Sequence, residues 1–182
     1  MEAKLLAAVW QRKPGVVVKA DLLSGVAVLS FVAVFGMGLA WVWSRLAPPM
    51  QYVVLSGGQS AELPDEGWHR FDDLAIFCLI SIGLGVLVGS GVWLMREHRG
   101  PVVLLAAVIG CGLGSWLAMR SGVSFAQGLY PLGAAPHVGS VVTKAPTLDS
   151  IWVIVAQPLG VALAYGVLAA YNGRHDLGRR LG

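Results

Sequence analysis

Four apolar runs, each long enough to cross a bilayer, constrain this chain more than any other feature. They are Leu22 to Leu46, Leu74 to Met95, Pro101 to Met119 and Ile151 to Tyr171. In a helix, a run of about 22 residues is roughly 33 Å long, against a hydrocarbon core of about 30 Å. Inside lipid every backbone N–H and C=O must be satisfied within the protein, so only helices or a closed barrel can cross. The runs lack the two-residue alternation of barrel strands. The expectation is an all-α membrane protein, a single membrane domain over residues 1–182 with four transmembrane helices. Charged residues are 13% of the chain and hydrophobic ones 56%, where an average soluble domain carries roughly 25% charged residues.

Orientation follows from the basic residues. Lys4, Arg12, Lys13 and Lys19 precede or open the first run, Arg96 and Arg99 follow the second, and Arg174, Arg179 and Arg180 follow the fourth. The opposite side has Arg45, Arg70, Arg120 and Lys144, with six of the ten acids. Basic flanks stay cytoplasmic. Both termini are therefore expected inside a plasma (inner) membrane, and the loops 47–73 and 120–150 outside it. The first run is too long for a signal-peptide core and no small-residue cleavage site follows it, so it reads as a signal anchor. Met1 to Trp10 offers Leu5, Leu6, Val9 and Trp10 for an amphipathic surface helix, and reads equally as a basic tail.

Small residues recur every fourth position. The second run has Ser81, Gly85 and Gly89, the third Ala106, Gly110, Gly114 and Ala118, the fourth Ala156, Gly160 and Ala164, and the first Gly36 and Ala40. Such rows let helix backbones approach closely in lipid. The short link Arg96 to Gly100 predicts that the second and third helices form a tightly packed antiparallel hairpin, joined by Gly85, Gly89, Gly110 and Gly114. Gly160 and Ala164 on the fourth helix are then available to a partner protein. Gln157-Pro158 inside the fourth run predicts a helix kink, with the Gln157 amide bonded to a freed carbonyl.

Chemistry is sparse. No Asp, Glu, Lys, Arg or His lies in the middle of a run, which argues against an ion-coupled pump or proton relay. There is no G-x-x-x-x-G-K-[ST] phosphate loop, no nominated catalytic set and no feature that recruits nucleic acid. Glu62, Asp65, Glu66, His69, Asp72 and Asp73 form an acidic loop without a Cys/His framework, so no metal is expected. Cys78 and Cys111 fall at different depths and read as packing residues, not a disulfide. The chain is expected to be neither an enzyme nor a cofactor protein.

The outer loops carry strand signals. Gln51 to Leu55, Ser56-Gly57-Gly58 and Gln59 to Leu63 read as a hairpin, and Val138 to Lys144 as a third strand from the other loop. A small extracytoplasmic β cap is expected. Asp72 and Asp73 before Leu74, and Thr147, Asp149 and Ser150 before Ile151, read as helix N-caps. The two halves share a pattern, with Trp41 to Arg45 before the first long loop and Trp116 to Arg120 before the second, as a duplicated hairpin would give.

The stretch FDDLAIFCLISIGLGVLVGSGVWLMREHRGPVVLLAAVIGCGLGSWLAMRSG, followed by VTKAPTLDSIWVIVAQPLGVALAYGVLAA, resembles an actinobacterial family of four-helix membrane proteins of unknown function. The resemblance implies an accessory subunit of an MCE-type (mammalian-cell-entry) ABC importer of fatty or mycolic acids. Its partners would be the permease and MCE subunits and membrane lipid. The expected function is thus a non-catalytic accessory or regulatory subunit. The alternative is an autonomous small oligomeric transporter or flippase.

Tags at residues 1 and 182 are expected to report a cytoplasmic location and a tag at Gly58 the opposite side, as nine Lys/Arg against four require. A C-terminus on the Gly58 side would overturn the four-span reading.

Overall fold

The computed structural model describes residues 18–55, 59–62, 67–95, 101–131 and 137–171. In chain order these form α1 (Val18–Leu46), β1 (Met50–Val54), β2 (Ser60–Glu62), α2 (Gly67–Leu94), α3 (Pro101–Leu129), β3 (Val141–Lys144), a 3-10 turn (Ile151–Val155) and α4 (Ala156–Ala170). Four helical spans are long and apolar enough to cross a membrane. Large side chains on their outer faces, among them Leu79, Leu105, Ile109 and Leu163, are exposed, a surface that suits lipid and not water. This is a multi-pass membrane protein. The strands gather at one end of the bundle, the sheet end. The start of α1, the end of α2, the start of α3 and the end of α4 define the opposite, link end.

Two helices outrun their apolar segments. α2 begins at Gly67, before the expected Leu74, and α3 continues to Leu129, past Met119. Hydropathy marks where lipid ends, whereas a helix continues until a breaker or a better backbone partner stops it. Asp72 and Asp73 are consequently residues within α2 and not its N-caps. Ser150 does sit at the N-cap of the 3-10 turn in extended conformation, but makes no side-chain cap bond. In the fourth span the 3-10 turn gives way to α-helix at Ala156, two residues before Pro158. Pro158 thus occupies the first turn of α4, where a missing N–H is least costly.

The helix pairing corrects the hairpin expectation. α1 packs along α3, and α2 along α4, while consecutive α2 and α3 touch only sparsely. A Cβ on Gly85 would collide with the Gln157 carbonyl, and one on Gly160 would lie 2.6 Å from the Ile82 carbonyl oxygen. A Cβ on Gly89 would lie 2.7 Å from the Val161 carbonyl oxygen and 3.1 Å from the Ala164 Cβ. On the other pair, Gly114 meets Gly36, and a Cβ on Gly110 would lie 3.0 Å from the Leu29 Cα. Gly160 and Ala164 are therefore spent inside the bundle and do not form a free docking face. A four-residue row announces that a helix packs closely, but it is self-similar and does not name the partner.

The pairing has an internal logic. α1 and α3 run from link end to sheet end, and α2 and α4 run back, so each tight pair is parallel and joins corresponding helices of the two halves. Trp41 and Trp116, Arg45 and Arg120, and Gly85 and Gly160 are each 75 residues apart. Arg45 lies 5.5 Å over the Trp41 ring and Arg120 6.0 Å over the Trp116 ring. Both features favour the duplicated hairpin.

The sheet also draws on both halves. Its order is β2-β1-β3, antiparallel throughout, with Tyr52 opposite Glu62 on one side and Val142 on the other. The turn at 56–58 lies outside the described residues. Beside it the Leu55 N–H donates to the Gln59 carbonyl at 2.7 Å. Gly139, at φ 87°, turns the chain into β3 and donates to the Val54 carbonyl at 2.7 Å. Met50 is buried on the bundle side, which ties the sheet to the helices.

Gly85→Leu and Gly160→Leu are expected to lower the amount of folded protein in the membrane, at about 1–3 kcal/mol for overpacking. Gly83→Leu, at a position with nothing within 4 Å of a Cβ, is expected to leave it unchanged. Thermal unfolding in detergent checks both.

Candidate functional site

Three features outside the glycine seams are candidates for function: a polar level in the bundle, a junction at the sheet end and an open groove. The polar level lies where α3 meets α4. The Ser115 hydroxyl donates to Gln157 Oε1 at 2.8 Å, and both residues are buried. The Cys111 thiol lies one turn from Ser115 on α3, against the same amide. Gln157 Nε2 has no hydrogen-bond partner, and neither has the buried Ser81 hydroxyl on α2, one turn from Gly85. The Ser115 partner is an amide and not a base, so nothing here activates a nucleophile. The arrangement holds α3 to α4. The expected bond from Gln157 to a freed carbonyl is replaced by this side-chain bond.

The sheet-end junction is built from the start of α2 and the segment before the 3-10 turn. Trp43 is fully buried, stands edge-on to Phe77 at 6.2 Å, and its indole N–H donates to the Asp73 carbonyl at 3.0 Å. The bond locks the end of α1 to the start of α2. Arg70 reaches Asp149 through both Nε, at 3.2 Å, and Nη2, which joins the α2 start to the second loop. Asp149 is thus half of an ion pair and not a helix cap. The Asp73 side chain is fully buried beside Thr147 and His69, with neither carboxylate oxygen in hydrogen-bond geometry. No group of three metal-ligating side chains occurs among the described residues; Asp65 and Glu66 lie outside them. Cys78 and Cys111 are free thiols in different packing clusters.

The third feature is apolar. In the link-end half of the bundle α1 and α2 diverge and leave a groove of about 620 Å3 between them. Phe31 and Phe35 of α1 and Leu84, Leu87 and Gly91 of α2 line it, with Met95 at its link-end limit along α2. Toward the sheet end the Trp43–Phe77 contact closes the two helices together.

Of the residues singled out from sequence, Gly85, Gly89, Gly160, Ala164 and Gln157 converge on one seam and Gly110 and Gly114 on the other. Pro158 lies beside Gly112, its Cγ 3.8 Å from a Cβ built there. Sequence reasoning missed the Arg70–Asp149 pair, the burial of Asp73 and the groove. A signal for the placement of Arg70 and Asp73 was present: Trp68 to Asp73 contains no helix breaker, so these two side chains belong on a helix and not in a loop.

Fold and site together define a four-span membrane protein with a three-stranded cap drawn from both halves. The chain belongs to the family described as "Protein of unknown function (DUF2567)", whose family model matches residues 32–179. It is 30% identical over 164 residues to the uncharacterized protein ML1222 of Mycobacterium leprae, covering 80% of this chain and 83% of that protein. It is also 30% identical over 164 residues to the uncharacterized protein Rv1591 of Mycobacterium tuberculosis, covering 79% and 84% respectively. No solved structure matches the chain.

A double-mutant cycle of Ser115→Ala and Gln157→Leu is expected to give a coupling of about 0.6 kcal/mol and no more than about 1.7, the range of hydrogen bonds between membrane helices. Unfolding in detergent measures it, and a coupling near zero would remove the clasp.

Proposed function

We propose that the chain is a non-catalytic accessory subunit of an MCE-type ABC lipid import complex, comparable to the mycobacterial lipid uptake coordinator LucB. It would sit in the plasma (inner) membrane with both termini cytoplasmic and the sheet outside. The supporting observation is the closed interior. Backbone seams at Gly85–Gly160 and Gly36–Gly114 leave no room between paired helices, and the buried polar atoms between α3 and α4 belong to a serine and an amide. Among the described residues the middle of the spans carries no ionisable side chain of the kind a coupled carrier uses. The open groove between α1 and α2 stops at the Trp43–Phe77 contact, which supports work done at the surface of the bundle. With Gly160 and Ala164 consumed internally, contact with a permease falls to the outer helix faces and contact with MCE subunits to the cap. There, among the described residues, β2 and β3 are edge strands able to accept a further strand.

The test is purification of the tagged chain from native membranes in mild detergent. Co-purification of ABC permease and ATPase subunits is expected, and deletion of the gene is expected to lower fatty or mycolic acid uptake. The chain reconstituted alone should transport no lipid. Robust lipid transport by the purified chain would replace this reading with the autonomous transporter or flippase.

A further inference from the structure

The groove between α1 and α2 occupies only half the depth of the membrane. Its α2 wall runs from Leu84 to Met95, about 16 Å at 1.5 Å per residue, roughly half of a hydrocarbon core of about 30 Å. Its α1 wall covers the matching half of that span, Ala27 to Phe35. Beyond it the Trp43–Phe77 contact and the Trp43–Asp73 hydrogen bond shut the seam. A transmembrane helix of a partner would need a groove along the whole depth. A single acyl chain, which reaches from one headgroup layer to the midplane, needs only this half. The walls are aliphatic and aromatic, the volume of about 620 Å3 falls within the roughly 300–1,000 Å3 of ligand sites, and Gly91 leaves space where a side chain would intrude. Nothing lies within 4 Å of a Cβ built on Gly91.

The headgroup chemistry follows from charge. The groove extends to Met95 at the link end, and in sequence the segments adjoining the link-end helix ends carry nine Lys/Arg against the four acids Glu2, Asp21, Glu97 and Asp176. Basic flanks of this kind attract anionic headgroups.

We propose that the link-end groove between α1 and α2 is a binding site for one acyl chain of an anionic phospholipid of that leaflet. The site depends on membrane placement alone, so its failure would leave the accessory-subunit reading standing, and the reverse.

The full chain in phosphatidylcholine nanodiscs, doped with a phosphatidylglycerol bearing a diazirine in one acyl chain, tests this by photolabelling and peptide mapping. Adducts are expected to concentrate on Phe31, Phe35, Leu84 and Leu87. Unlabelled phosphatidylglycerol should compete them away, and added unlabelled phosphatidylcholine or free fatty acid should do so far less. Gly91→Trp should cut labelling by about tenfold, since it fills the groove that buries the chain. Leu87→Trp, on an exposed wall position, obstructs the same space should Gly91→Trp fail to accumulate. Gly83→Trp, at an open position that does not line the groove, should leave labelling unchanged. Adducts spread over the outer faces of all four spans, equal competition by phosphatidylcholine or fatty acid, or a wild-type groove that stays unlabelled while two copies of the chain crosslink through it would each overturn the proposal.

Discussion

The approach of two backbones at Gly85 and Gly160 is the contact on which the rest of the bundle depends. In lipid there is little hydrophobic gain in bringing helices together, since acyl chains solvate leucine as well as leucine does. Stability must come from dispersion between surfaces close enough to interlock, and from polar groups with no better partner. The glycines supply the first. Their seam brings the Gln157 segment of α4 against α2, while the Gln157 side chain turns to Ser115 on α3. One residue thus connects the α2–α4 pair to the α1–α3 pair.

The same constraint explains why polar groups are few and where they lie. A buried amide bonded to a serine is tolerable in a low-dielectric interior, where an unpaired ionised group is not. Arg45, Arg70, Asp72, Asp73 and Arg120 accordingly stand at or beyond the sheet-end limits of the apolar runs. Arg45 and Arg120 lie over tryptophan rings at the sheet end, and Arg70 is paired with Asp149. Asp73 is the exception in burial, and it sits where α1, α2 and the second loop meet.

Much of the architecture was legible in the sequence. The four spans followed from hydropathy, because transfer into lipid is decided residue by residue. The cap followed from β-branched runs beside glycines; β2 and β3 fall within the expected segments, and β1 starts one residue before its own, at Met50. Helix ends at Gly67 and Leu129 were not legible, because polar residues beyond the bilayer continue a helix without any hydropathic trace. Partner choice was not legible either. Gly85 and Gly89 have the spacing to pack on Gly110 and Gly114 as well as on Gly160 and Ala164, and only the register of three dimensions decides between them. The groove is a property of two helices diverging, and no single segment encodes it.

Pairing α1 with α3 and α2 with α4 has a consequence for how the molecule is made. Neither half holds its own tight helix pair, so the first hairpin enters the membrane before its principal contacts exist. Until α3 and α4 have been synthesised, the faces of Gly36 and Gly85 remain covered by lipid. Assembly is therefore a late event, an interlocking of two hairpins across a pseudo-two-fold axis along the membrane normal, as expected where spans insert first and associate afterwards. A chain that stalls after α2 would be stranded as an unmatched half, a natural substrate for membrane proteolysis. The halves are partners to each other in the way that subunits of a dimer are, with the covalent link setting their local concentration.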